Sequence, residues 1–129
     1  MTTLAALLSI LVTALQESDL CRTVRVMETH SFSAHQFSLK VRTDLVSGDV
    51  LQIRIYCNGD HADYSYQLLR DNQPILRWDN KEHFREIVTF PHHFHSPTGE
   101  VQRSPLSGEP ITDLQLVLRI LASYNTNPF

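Results

Sequence analysis

Apolar residues follow two periodicities along this chain, and the change from one to the other divides it. Leu4, Leu7, Leu8, Leu11 and Leu15 recur at the i, i+3, i+4, i+7 and i+11 spacing of a stripe on one side of a helix. Thr2 or Thr3 offers an N-cap hydroxyl, so the spacing predicts a helix over 3–18. Ile10, Val12 and Ala14 lie partly off the stripe, which points to a helix packed on a sheet and on a second partner, a second copy of the chain among the candidates. From Leu20 onward the period becomes two. Val24 and Val26, then Phe37, Leu39 and Val41, then Leu51, Ile53 and Ile55 alternate with Arg25, Lys40, Arg42, Gln52 and Arg54, the signature of half-buried strands. Ser47-Gly48-Asp49 and Cys57-Asn58-Gly59-Asp60 are turns, Asn-Gly being a strong hairpin signal.

A fourth strand from Asp63 to Leu69 carries Tyr64, Tyr66 and Leu68 on one face and Asp63, Ser65 and Gln67 on the other. After a turn at Asp71-Asn72-Gln73-Pro74, a fifth strand from Ile75 to Asp79 sets Leu76 and Trp78 against Arg77 and Asp79. Regularity then fades, apart from a short strand predicted at Ile87-Val88-Thr89-Phe90. A histidine-rich segment occupies 83–95, and 96–110 has the proline, serine and glycine content of a loop. Thr112 caps a final helix over 112–123, where Leu114, Val117, Leu118 and Leu121 share one side, before the polar tail Asn125 to Pro128. The expected fold is α+β: an antiparallel sheet of about five strands over 20–90, with an N-terminal and a C-terminal helix packed on one face. The uncovered face is the expected working surface.

Length changes this picture little, since 129 residues are one domain's worth of chain and are read as a single domain over 1–129. A 42% hydrophobic and 19% charged composition excludes disorder. Eleven basic against 14 acidic residues give a net charge of −3, so no global field draws the chain onto polyanions, and any nucleic-acid contact must be local. Protonating the seven histidines would reverse the sign of that charge. Cys21 and Cys57 lack CxxC spacing and read as a reduced pair, which suits a cytoplasmic location. The apolar run from Leu4 to Leu15 is shorter than a membrane span of about 20 residues and has no basic flank before it, so neither a span nor a leader is expected.

His83, His92, His93 and His95 cluster within the same segment, near the fixed charges of Arg77, Lys81 and Arg85. Imidazole is the side chain suited to moving protons near neutral pH, and guanidinium offers a planar donor fork for phosphate. The chemistry this points to is metal-independent RNA cleavage, with one group deprotonating the 2′-hydroxyl, another protonating the leaving 5′-oxygen, and arginine stabilising the charged phosphorane. Trp78, Phe90, Tyr64 and Tyr66 would then be stacking surfaces for unpaired bases. His93 and His95 on one strand face, with His83 or Asp79, form an alternative metal site, although no closed zinc signature is present. The same residues also fit structural roles, with Trp78, Tyr66 and Phe90 in the core, Arg77 and Asp79 an ion pair, and Asp79-Asn80 capping a turn.

Three segments, Tyr64-Ser65-Tyr66-Gln67-Leu68-Leu69, Arg77-Trp78-Asp79-Asn80 and Thr89-Phe90-Pro91-His92-His93-Phe94-His95, resemble in order and spacing the TumE family of toxin–antitoxin toxins. The resemblance implies a small cytoplasmic bacterial toxin, paired with a helix-turn-helix antitoxin that binds both toxin and operator DNA, and acting as a ribonuclease on mRNA. One departure is visible. After the RWDN motif the family pattern has a small residue, a proline and two histidines, whereas Lys81, Glu82, His83 and Phe84 stand here. The candidate assignments are His92 and His95 for acid–base work, Arg77 and Arg54 on phosphate, Tyr66 as auxiliary acid or stacking group, and Asp79 to orient a histidine. Tyr64, Trp78, Asn80, His83, His93 and Phe90 are expected to contact the RNA substrate, with no cofactor required. The competing classes are a non-enzymatic binding module and a histidine-ligated metal-dependent nuclease.

Overall fold

The structure, a computed structural model, describes residues 1–124; the predicted tail Asn125 to Pro128 lies outside the described residues. Helix α1 spans Leu4–Glu17 and is capped by Thr3, whose Oγ1 accepts a hydrogen bond from the Ala6 N–H at 3.2 Å. Leu7, Leu11 and Leu15 form its buried stripe. α1 rests on strands β1 (Cys21–Ser33) and β2 (Gln36–Leu45) and also meets helix α2 (Pro110–Tyr124). Ile10 and Ala14, off the main stripe, line the groove between the two helices, so α2 is a second partner for α1 within the chain itself.

The sheet continues through β3 (Val50–Asn58), β4 (His61–Arg70), β5 (Gln73–Asp79), β6 (His93–His95) and β7 (Val101–Arg103). All seven strands pair in sequence order, each antiparallel to the next. Turn chemistry fixes the register. Asp71 and Asn72 both take left-handed conformations, with φ of 50° and 63°, as a two-residue hairpin loop requires. Gly59, at φ 64°, begins the Gly59-Asp60 turn between β3 and β4.

The α+β class and the placing of both helices on one face are borne out, and three details are corrected. There are seven strands rather than about five, because β6 and β7 have three residues each, too few to leave a period in the sequence. β7 falls inside the segment read as loop. Ile87 to Phe90 is a run of turns, since the Phe90 N–H donates to the Ile87 carbonyl and the His92 N–H to the Thr89 carbonyl, both at 2.9 Å, instead of to a neighbouring strand. α2 begins at Pro110, where a proline loses nothing by lacking an N–H, and Glu109 rather than Thr112 does the capping by accepting the Thr112 N–H.

The core lies between the helices and one face of the sheet. Phe37, Leu39 and Val41 of β2, Leu51, Ile53 and Ile55 of β3, Tyr64, Tyr66 and Leu68 of β4, and Leu76 and Trp78 of β5 meet Leu7, Leu11, Leu15, Leu114, Val117, Leu118 and Leu121. Each large apolar side chain buried there contributes about 1.5–3 kcal/mol before entropy is charged against it. Alternation along the strands then leaves the polar residues of β2 to β6 on the opposite face, away from both helices.

Candidate functional site

Cross-strand register arranges the uncovered face into rows running perpendicular to the strands. One row is Arg25, Arg42, Gln52, Gln67, Arg77 and His95; the row beside it is Glu28, Lys40, Arg54, Ser65, Asp79, His93 and Arg103. Directly opposed residues of an antiparallel sheet stand on the same face, with Cβ atoms about 4.5–5.5 Å apart. A groove of about 500 Å³ follows these rows from Glu28 and Lys40 to Asp79 and Lys81. The polar alternation that predicted half-buried strands thus builds a channel whose end, at Arg77 and Asp79 of β5, adjoins the histidine-rich strand β6.

At that end Asp79 organises the chemistry. It is 2% exposed, and its Oδ2 accepts from Arg77 Nε at 2.7 Å while Oδ1 accepts from the Lys81 N–H at 3.1 Å. His93 Nε2 lies 2.8 Å from Oδ1, and His95 Nε2 lies 3.5 Å from Oδ2. A buried carboxylate is tolerable only with such partners. Arg77 Nη2 is also 3.0 Å from His95 Nε2. Guanidinium has donors alone, so His95 Nε2 is the lone-pair nitrogen and the proton of the neutral ring sits on Nδ1. Burial lowers the pKa of His95 below the ordinary histidine value, and the neighbouring Arg77 lowers it further, against the opposing pull of Asp79. His93 differs, because Nδ1 faces the Pro91 carbonyl at 3.0 Å and Nε2 faces Asp79, so both of its nitrogens point at acceptors.

Phe84 sits on this pair, its ring 4.7 Å from His93 and 5.7 Å from His95 between centroids, both edge-on. It occupies the place where the resembled pattern has a second histidine, and here it packs edge-on against both imidazoles. The donor atoms of Asp79, His93 and His95 all lie within 4.8 Å of one another, an arrangement that can hold a cation. The positive group beside Asp79 Oδ2 and His95 Nε2 is the Arg77 guanidinium, which a metal ion would have to displace.

His92 is placed elsewhere. It precedes β6 on the Phe94 side of the strand, and its Nδ1 is 2.8 Å from the Tyr64 hydroxyl, with the two rings stacked at 5.9 Å. The Gly108 backbone passes close to it on that side. Burial lowers its pKa, with Asp113 opposing, and burial pushes the Tyr64 hydroxyl upward. The structure therefore does not bring the acid–base pair His92 and His95 together. Tyr66 is fully buried, with its hydroxyl toward the Pro110 carbonyl, and Trp78 is 2% exposed against Phe94, so neither offers a surface to a base. Their stacking role is corrected to a core role, because strand alternation turns them toward the helices.

Asn80 is a structural clamp: its Oδ1 accepts from the Tyr64 N–H and its Nδ2 donates to the Ala62 carbonyl, both at 2.9 Å, continuing the ladder of β4 past the end of β5. Phe90 is half-buried beneath the Arg85 guanidinium, and His83 is exposed beside Phe84. Arg54 is exposed in the groove next to Lys40 and Ser65. Lys40, Gln67 and Phe84 were not among the expected site residues. Lys40 and Gln67 were marked by their parity with Arg54 and Arg77, whereas Phe84 was marked only as a departure from the resembled pattern.

A family model described as toxin TumE matches residues 11–125, nearly the whole chain. No curated protein and no solved structure matches it.

Proposed function

The chain belongs to the TumE toxin family, and on that premise we propose that it is a metal-independent endoribonuclease that cleaves mRNA with His95 as its base. Membership makes it the toxin component of a toxin–antitoxin system, with an antitoxin as its partner. Among the described residues no helix is long and apolar enough to cross a membrane. The observation that carries the proposal is the contact of Arg77 with both Asp79 and His95 at the end of the groove.

When RNA binds, Arg77 Nη2 turns from His95 Nε2 to the phosphate; the freed Nε2 takes the 2′-hydroxyl proton, the 2′-oxygen attacks phosphorus, and the bond to the 5′-oxygen breaks, leaving a 2′,3′-cyclic phosphate and a 5′-hydroxyl. The lowered pKa keeps the ring unprotonated and ready near neutral pH. Arg77 keeps Nε on Asp79, and Nη2, released from His95, joins its other N–H donors on the phosphorane oxygens. Asp79 fixes the guanidinium, and Arg54 and Lys40 receive the neighbouring phosphates. Water in the open groove supplies the leaving oxygen's proton. His92, on the helix side, has no chemical role in this scheme.

The test is cleavage of RNA by the purified chain in EDTA, with growth and total-RNA integrity followed on induced expression. His95→Gln, which keeps an acceptor for Arg77 but cannot take the proton, is expected to lose about 100-fold or more in rate. His92→Gln is expected to retain activity. Growth arrest with intact RNA would sink the nuclease, and a fully active His95→Gln protein would sink the base. A second reading, a divalent cation at Asp79, His93 and His95, rests on their convergent donor atoms. Cleavage abolished by EDTA and restored by added metal would favour it.

A further inference from the structure

The row from Arg25 to His95 is largely paired, with one gap. Gln52 is 8% exposed, and its Oε1 accepts from Arg42 Nε at 2.9 Å. Arg77 is engaged by Asp79 and His95. Gln67 stands between them in the same row, directly opposed to Gln52 on one side and to Arg77 on the other. It is half-buried, and its amide makes no hydrogen bond among the described residues. A donor and an acceptor on one planar group thus face the groove one strand from Arg77 and two strands from His95. In the adjoining row Lys40 and Arg54 likewise engage no acidic group among the described residues, which provides fixed positive charge alongside an uncharged amide.

That division of labour fits a nucleic acid strand lying along the rows, with phosphates on the cations and a base over the amide. The strand must be unpaired. A duplex in A-form hides its base edges in a deep, narrow major groove that side chains do not read, whereas an unpaired nucleotide can lay its edge into a shallow channel. The pairing that an amide makes best is with adenine, where one N6 proton and the N7 lone pair match its acceptor and donor. Guanine presents two acceptors along the same edge, which leaves the amide oxygen unmatched.

We propose that Gln67 is a specificity-determining residue that reads an adenine beside the scissile phosphate of single-stranded RNA. This rests on the ribonuclease reading above and deepens it by naming the substrate class and the contact that selects it. Gln67 does not touch the reacting atoms, so its signature is a change in which sites are cut.

The experiment is 5′-end mapping of cleavage sites on a long unstructured RNA, with rates measured on short oligonucleotides that differ only in the base beside the cut. Wild type, Gln67→Leu and Gln67→Glu are compared after thermal unfolding has established that each variant is folded. The wild type is expected to prefer adenine over the other bases by about 10- to 100-fold, the range that one bidentate base contact supplies. Gln67→Leu is expected to lose that preference. Gln67→Glu, with two acceptors, is expected to transfer it to cytosine, whose N4 amino group donates. Cleavage with no base preference, a preference unchanged in Gln67→Leu, or a Gln67-dependent preference for another base would overturn this inference while leaving the ribonuclease reading standing. A wild-type protein that cuts no RNA would remove both.

Discussion

Replacing Asp79 by asparagine tests whether the carboxylate, rather than its shape, holds the site together. Asp79 receives three donors, from Arg77 Nε, His93 Nε2 and the Lys81 backbone, and an amide has only one acceptor oxygen to offer them. If the amide oxygen stays with His93 and Lys81, the amide nitrogen faces Arg77 Nε, and two donors oppose each other. The bond to Arg77 is lost, but that side chain is 39% exposed, so solvent screens it and its loss costs about 1 kcal/mol. The His93 bond is retained without charge assistance, and because both partners are almost fully buried the difference is about 1–2 kcal/mol.

The total, about 2–3 kcal/mol, corresponds to a lowering of Tm by about 7–11 °C for a chain of this length, using an unfolding entropy of about 2.1 cal/mol/K per residue. Thermal unfolding followed by circular dichroism at pH 7.5 measures it, and cleavage at a temperature where both proteins are folded measures the functional part. Arg77, released from Asp79, no longer holds its donors in place, so the rate should fall by about 10-fold or more even when the protein is folded. A Tm within 2 °C of wild type, or full activity, would refute the claim that the Asp79 charge organises this cluster.

Other expectations follow from the same geometry. Both His92 and His95 have folded pKa values below that of the unfolded chain, so the unfolded state binds protons first as the pH falls. Their contribution is therefore complete above about pH 6.5 and is lost progressively below it; Tm measured from pH 7.5 to 5 should fall less steeply in the His92→Gln/His95→Gln double variant. Tyr64→Phe removes the hydroxyl bonded to His92 Nδ1 and should cost about 1 kcal/mol by chemical denaturation, with cleavage preserved because that pair lies on the helix side. Asp113→Ala strips the carboxylate that accepts from the Ser107 N–H, the Ser107 hydroxyl and the Gly108 N–H, and a loss of about 2–4 kcal/mol should appear as loosening of the chain before α2 in hydrogen exchange.

The long elements of the fold were legible because each repeats its period several times. α1 shows its stripe five times over, and β2 to β5 each carry at least two core residues at spacing two, enough to place both helices and four strands of the meander. β1 was legible from Val24 and Val26 alone, since that long edge strand is exposed apart from Cys21 and Val24, Val26 included, and carries no further apolar alternation. β6 and β7 were not legible, because a three-residue strand shows one alternation at most and its pairing is decided by what lies beside it. Here Thr89 ties that region down: its Oγ1 donates to the His92 carbonyl and accepts the Ser104 N–H, joining the turns before β6 to the chain after β7.

The site follows from the same parity. Once His93-Phe94-His95 is a strand, His93 and His95 must share a face, and Phe94 must share the other with His92 and the core. Four clustered histidines in a sequence look like one reactive group, yet a sheet sorts neighbours onto opposite sides, so closeness along the chain works against closeness in space. Register supplies what clustering cannot: Arg77 opposes His95 and Asp79 opposes His93 because β5 and β6 pair in that alignment, which joins the RWDN motif to two of the four histidines and excludes His92. Spacing alone could propose that His93 and His95 face the same way. Only the pairing of the strands says what they face, and it is an arginine held by a buried carboxylate at the end of a polar groove.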